Sequence, residues 1–208
     1  MGPTLYAYVG NDPVSLVDHD GNYPTAIHEQ IVDRAFPGLT AQQRQTLKSA
    51  SYWMDHSATS QMKSHNHEHF MKSRGQNPAA AAAAARSYIQ NQSQAAQAIQ
   101  GERPQNVASL EKDALTAVGN AIHTATDGTS PAHVDANGNP RDWGGIPTSR
   151  AEIAAVQQHE VEEAHPTDAQ IDSAVSAAQK VFIDTFGDAT AKQAITPPRL
   201  CATGDQCQ

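Results

Sequence analysis

A helix that ends on His123-x3-Asp127 and stops at Gly128 constrains this chain more than any other stretch. Small and apolar residues run from Leu115 onward, so His123 falls late in a helix and Asp127 one turn further along the same face. Gly128 and Pro131 then stop the helix and turn the chain, which brings His133 back near the same spot. Two imidazoles and a carboxylate so arranged suit a divalent metal. The plainer reading is a polar helix end whose two histidines merely lie close.

The same spacing recurs downstream. Ser149 and Glu152 form a capping box that opens a helix, and on it His159 and Glu163 stand at i and i+4. Ten histidines are many for 208 residues, and most sit beside an Asp or a Glu.

From Pro24 the chain reads as helices. Ile27, Ile31, Val32 and Phe36 make an apolar stripe at helical spacing, with His28 beside it. Thr40 and Gln43 make a capping box for a helix carrying Leu47, Tyr52, Trp53 and Asp55. In His65-Asn66-His67-Glu68-His69-Phe70 the histidines alternate as they do in a solvated loop, and clustering alone does not select a ligand. The Ala/Gln-rich run 79–98 is a scaffold helix anchored by Tyr88 and Ile89, broken by Gly101 and Pro104. A loop rich in Gly, Asn, Asp and Pro follows His133, and Thr167 and Gln170 cap one last helix before an irregular tail, 195–208. Six or so helices with no strong strand pattern after residue 22 predict an all-α helical bundle. Cys201 and Cys207 lie in that tail, where they could pair or stay free. A net charge of −8 argues against tight, nonspecific binding of duplex nucleic acid. Gly2-Pro3-Thr4 after Met1 lacks both the basic and the apolar region of a signal peptide, and nothing approaches a membrane-spanning run.

Residues 1–22 read differently, as strand, turn, strand and turn, a short β-like segment. The run from Tyr6 to Gly21 resembles the end of the core of RHS/YD-repeat proteins, whose signature is Tyr-x-Tyr-Val-x-Asn-x-Pro closed by Asp-Pro-x-Gly. His19 stands where that family usually has proline. The resemblance implies a junction segment (1–22) closing the RHS shell of a parent protein, cut by aspartates that Asp18 and Asp20 resemble. It also implies a C-terminal toxin domain (23–194), secreted or delivered into a target cell by a secretion system, with an immunity protein as partner.

The ordered set His28, Asp55, His69-Phe70, His123-x3-Asp127-x5-His133 and His159-x3-Glu163 resembles the zinc-dependent phospholipase C family and the related fungal single-strand nucleases. The resemblance implies two to three zinc ions. Asp55, His69, His123 and Asp127 would hold one, and His133, His159 and Glu163 a second. His28 and Asp127 would hold a third, completed by the chain's first residue after cleavage. Asp55 is the candidate to orient or deprotonate the attacking water. The implied activity is hydrolysis of phospholipid phosphodiesters at a membrane surface. A nuclease acting on single strands and a non-catalytic metal-binding domain are the alternatives. His56, His65, His67 and His165 fall outside the set. On this register Glu163→Gln should lose zinc, because a neutral amide is a poor ligand, whereas Glu160→Gln on another helix face should not. Zinc content of the two variants checks it, and equal loss would mean a wrong register.

Overall fold

The helices form where an apolar stripe recurs at helical spacing between a cap and a stop. The computed structural model describes residues 25–102, 104, 106–144, 150, 154, 158, 159 and 165–198. Helix α1 is Thr25–Ala35, and Ile31, Val32 and the following Phe36 are buried, with Ile27 packed against them. Helix α2, Ala41–His56, opens on the expected capping box between Thr40 and Gln43. Helix α3, Pro78–Gln100, starts at Asn77, whose side chain accepts from the Ala80 N–H, and stops at Gly101. Helix α4 is Lys112–Asp127. Helix α5, Asp168–Phe186, opens on the second expected box, Thr167 with Gln170, and α6 is Asp188–Ile195. Short 3₁₀ turns span Lys63–His69 and Val107–Ser109. Arg150, Ala154, Gln158 and His159 are also helical.

Among the described residues there is no strand, only two isolated bridges, Lys72 with Asp142 and Val134 with Pro140. The all-α expectation therefore holds for the described residues. The β-like segment 1–22, Cys201, Cys207 and Glu163 lie outside them. One division differs from the sequence reading, which has a single last helix. The chain breaks at Gly187, where a φ of 85° ends α5 and starts α6. The break lets α6 fold back onto α5, and the Gly38 N–H donates to the Ala194 carbonyl at 2.8 Å.

Helix α4 is the element the others pack around, in contact with α2, α3 and α5. Its residues from Ala114 to Asp127 are nearly all buried, because the small and apolar run faces neighbours on several sides. Phe36 and Phe182 close the core on the far side with ring centroids 4.8 Å apart. Gly119 is where α2 and α4 come closest: a Cβ there would lie 2.7 Å from the Ala50 Cβ.

That approach decides the outcome of Gly119→Ala. Helix propensity alone would favour alanine by about 1 kcal/mol. Overpacking a tight interface costs about 1–3 kcal/mol, so the net effect should be destabilising. Urea unfolding should show a lowered midpoint for Gly119→Ala and recovery in the double variant with Ala50→Gly. A raised midpoint in the single variant would mean the two helices can part freely.

Candidate metal centre

Four elements and one loop deliver six titratable side chains to one buried place. His28 comes from the first turn of α1, Asp55 from the last turn of α2, His69 from the end of the 3₁₀ turn, His123 and Asp127 from the last turns of α4, and His133 from the loop beyond. None exposes more than 4% of its surface. The His69 turn is stitched to α4 by the Thr124 hydroxyl, which donates to the Glu68 carbonyl at 2.5 Å. Phe70 then turns the chain in the left-handed region (φ 53°) and lays its ring over Gly128. A Cβ on residue 128 would meet that ring at 2.8 Å, while its φ of −63° is open to any residue. Glycine is needed at the helix end for space and not for its backbone freedom.

The atoms that face one another are those that bind metals. His123 Nε2 lies 3.1 Å from His69 Nδ1, 3.4 Å from Asp55 Oδ1 and 3.1 Å from Asp127 Oδ2. His69 Nδ1 lies 3.8 Å from Asp55 Oδ1 and 3.4 Å from Asp127 Oδ2. A tetrahedral ion with ligand bonds of about 2.0–2.1 Å spaces its donor atoms by roughly 3.3–3.4 Å. These five separations scatter around that spacing. His28 Nε2 closes a second, overlapping group with His123 and Asp127, 3.5 Å from Asp127 Oδ1 and 3.7 Å from Asp55 Oδ2. These buried groups could hold a metal ion.

Electrostatics make the same demand. Asp127 is buried, and its Oδ2 lies 3.1 Å from His123 Nε2 and 3.4 Å from His69 Nδ1. A buried carboxylate is tolerated only beside a compensating charge, and imidazoles surround this one. In the metal-free pocket that charge is an imidazolium. Burial alone would lower the pKa of His123, but Asp127 and Asp55 outweigh it and raise it to about 9. Burial also works to raise the Asp127 carboxyl, yet His123 and His133 hold it well below the ordinary carboxylate range. Burial, reinforced by His123, pushes His28 down to about 3. Burial lowers His69 as well. Buried carboxylate is met here by imidazole charge, and a divalent cation could take over that role.

Polar partners around the cluster aim the rings. Ser51 Oγ lies 2.9 Å from His123 Nδ1, and an Nδ1–H donated there leaves Nε2 facing the cluster. His133 Nδ1 donates to the His69 carbonyl at 2.5 Å, which reserves its Nε2 for another partner. The half-buried His159 is at hand, its ring centroid 4.9 Å from that of His133 and 5.4 Å from that of Trp143. The Gln61 amide donates to the Asp55 carbonyl at 2.9 Å and reaches 3.4 Å from His69 Nε2.

The structure thus brings His28, Asp55, His69, His123, Asp127 and His133 together and sets His159 against His133. The alternating histidines are resolved by the 3₁₀ turn: His69 points in, while His65 pairs with Glu68 at 2.7 Å and His67 packs on Tyr88. His56 stacks on Tyr52, and His165 is exposed. Sequence reasoning passed over Ser51 and Gln61. Ser51 had a signal, since it stands at i−4 from Asp55 on one helix face; Gln61 had none. No family model, no curated protein and no solved structure matches the chain.

Metal uptake at pH 7 should release about one proton, because His123 carries one that its Nε2 must lose, whereas His28 and His69 are already neutral. Titration calorimetry in buffers of different ionisation enthalpy measures the number. Asp127→Asn should abolish tight uptake with helix content by circular dichroism unchanged. Zero release in the wild-type protein would mean His123 is not a ligand.

Proposed function

We propose that the domain is a zinc-dependent phosphodiester hydrolase of the phospholipase C kind, acting as a toxin released from an RHS-type parent. The observation that carries this reading is the meeting of Asp55, His69, His123 and Asp127, drawn from α2, the 3₁₀ turn and α4, at ligand spacing. Nitrogen and carboxylate donors of this kind suit zinc. Asp55, His69, His123 and Asp127 hold one ion in this proposal, His133, His159 and Glu163 a second, and His28 with Asp127 a third. Bound zinc supplies positive charge against phosphate oxygens and lowers the pKa of water to about 7.

The chain's own residues do the rest. Ser51 and the His69 carbonyl hold the rings of His123 and His133 in one orientation each. Asp55 presents Oδ1 to His69 and His123 and Oδ2 toward His28, so in this proposal one carboxylate oxygen binds metal and leaves the other for the attacking water. It is the group to orient that water and accept its proton. A nuclease on single strands remains the second reading, favoured by the exposed rings of Tyr52 and Trp53, on which bases could stack. The charge of −8 works against it.

The zinc-loaded domain should release the phosphorylated head group from phosphatidylcholine, lose that activity to a chelator and regain it with zinc. His123→Ala should reduce turnover by about a thousandfold or more, the scale expected when a hydrolase loses the metal that stabilises transition-state charge. Cleavage of single-stranded DNA with phosphatidylcholine untouched would overturn the phospholipase reading in favour of the nuclease.

A further inference from the structure

Of the four exposed large apolar side chains among the described residues, three belong to the end of α2 and the turn after it, and the fourth, Ile99, is on α3. On the last turns of α2 Trp53 is 66% exposed and Tyr52 40%, and in the turn that follows Met62 is 49% exposed. The rings brace one another: Tyr52 stacks on His56 with centroids 3.9 Å apart and planes 13° apart, and meets Trp53 edge-on at 5.4 Å. Ordering these rings costs little further entropy when a partner arrives. The same helix end delivers Asp55 to the buried cluster, and Gln61, which touches Asp55 and His69, immediately precedes Met62.

Charge distinguishes this surface from the rest of the chain. The whole sequence carries −8, yet between 49 and 67 its only charged residues besides histidine are Asp55 and Lys63. Asp55 is buried and Lys63 exposed, so no carboxylate of this stretch faces outward. Beside Trp53 a groove of roughly 720 Å³ runs between α2 and α4. Gln45, Ser49, Ser57, Asn120 and Lys112 are among the residues that line it, and none of the lining residues is acidic. The end of α2 therefore carries an aromatic pair beside a groove lined by hydroxyls, amides and Lys112, with Met62 and Lys63 exposed in the segment that follows, on a molecule that is acidic overall.

We infer that this end of α2 docks on a phospholipid surface. Trp and Tyr place an apolar ring in the acyl boundary and a polar edge among head groups, and Met62 can only be buried in hydrocarbon. The groove, which carries Lys112 and no carboxylate, and the exposed Lys63 accept head-group phosphates without carboxylate repulsion. A single-stranded nucleic acid would need cations following its backbone, and two lysines do not make such a track. The inference rests on the phospholipase reading and gives that site its substrate as a bilayer, with the pocket held beside the head groups.

The test uses the full chain, metal-free and zinc-loaded, with phosphatidylcholine vesicles and with a monomeric short-chain phosphatidylcholine. Metal-free protein should cosediment with vesicles, with a blue shift in tryptophan emission that Trp53→Ser removes. Trp53→Ser and Met62→Ser should each weaken partitioning about tenfold, the scale of one large side chain left in water, while Ile99→Ser, an exposed residue on α3, should not. In zinc-loaded protein Trp53→Ser should slow vesicle hydrolysis and leave hydrolysis of the monomeric lipid unchanged. Vesicle binding that is absent, or equal in wild type and Trp53→Ser, overturns the docking, as does an emission shift with single-stranded DNA in place of vesicles. Failure of wild type to hydrolyse the monomeric lipid overturns the proposed reaction instead and is read separately from binding.

Discussion

Two carboxylates buried among imidazoles are the constraint that the structure has to satisfy. Asp55 and Asp127 expose 2% and 1% of their surfaces. Burying an ionised carboxylate away from water costs several kcal/mol unless charge and donors meet it. The protein answers with histidines from four separate parts of the chain, and the raised His123 and lowered Asp127 register that attraction. A divalent cation held by the same groups could supply that compensating charge in place of an imidazolium.

The helical frame serves that place. Helix α4 supplies two of the six groups and also the largest share of buried small residues, so that α2 can approach to the Gly119–Ala50 contact. Close approach there brings Ser51 to His123 and Asp55 to the same pocket. Phe70 over Gly128 and the Thr124 hydroxyl on the Glu68 carbonyl anchor the 3₁₀ turn, so that His69 alone of three neighbouring histidines faces inward. Local backbone geometry, more than residue type, selects the ligand there.

The outer surface carries a second organisation. Tyr52, Trp53 and Met62 leave apolar area in water that helix packing could have covered, on a stretch with no outward carboxylate. An apolar cluster with polar neighbours on an acidic molecule suits an interface that is itself half oily and half phosphate. Asp55, which faces inward, and Tyr52 and Trp53, which face outward, share the last turns of one helix, so on the proposed reading docking and chemistry are coupled by proximity alone.

Much of this was legible in the residues. The i, i+4 pairing of His123 with Asp127, the capping boxes at Thr40 and Thr167, and the apolar stripe from Ile27 to Phe36 depend on local spacing, and local spacing survives folding. That is why the all-α bundle and the His123–Asp127 pair could be read in advance, while the wider His/Asp set came from the family resemblance. Other features were settled only by tertiary structure. Which of His65, His67 and His69 turns inward depends on Phe70 packing over Gly128 and on Thr124 of α4, which is 56 residues from the Glu68 carbonyl it holds. The roles of Ser51 and Gln61 and the break at Gly187 likewise follow from contacts between distant segments. Local pattern determined which helices exist and which side chains can bind; the protonation state and aim of those side chains were decided by what the fold buried beside them.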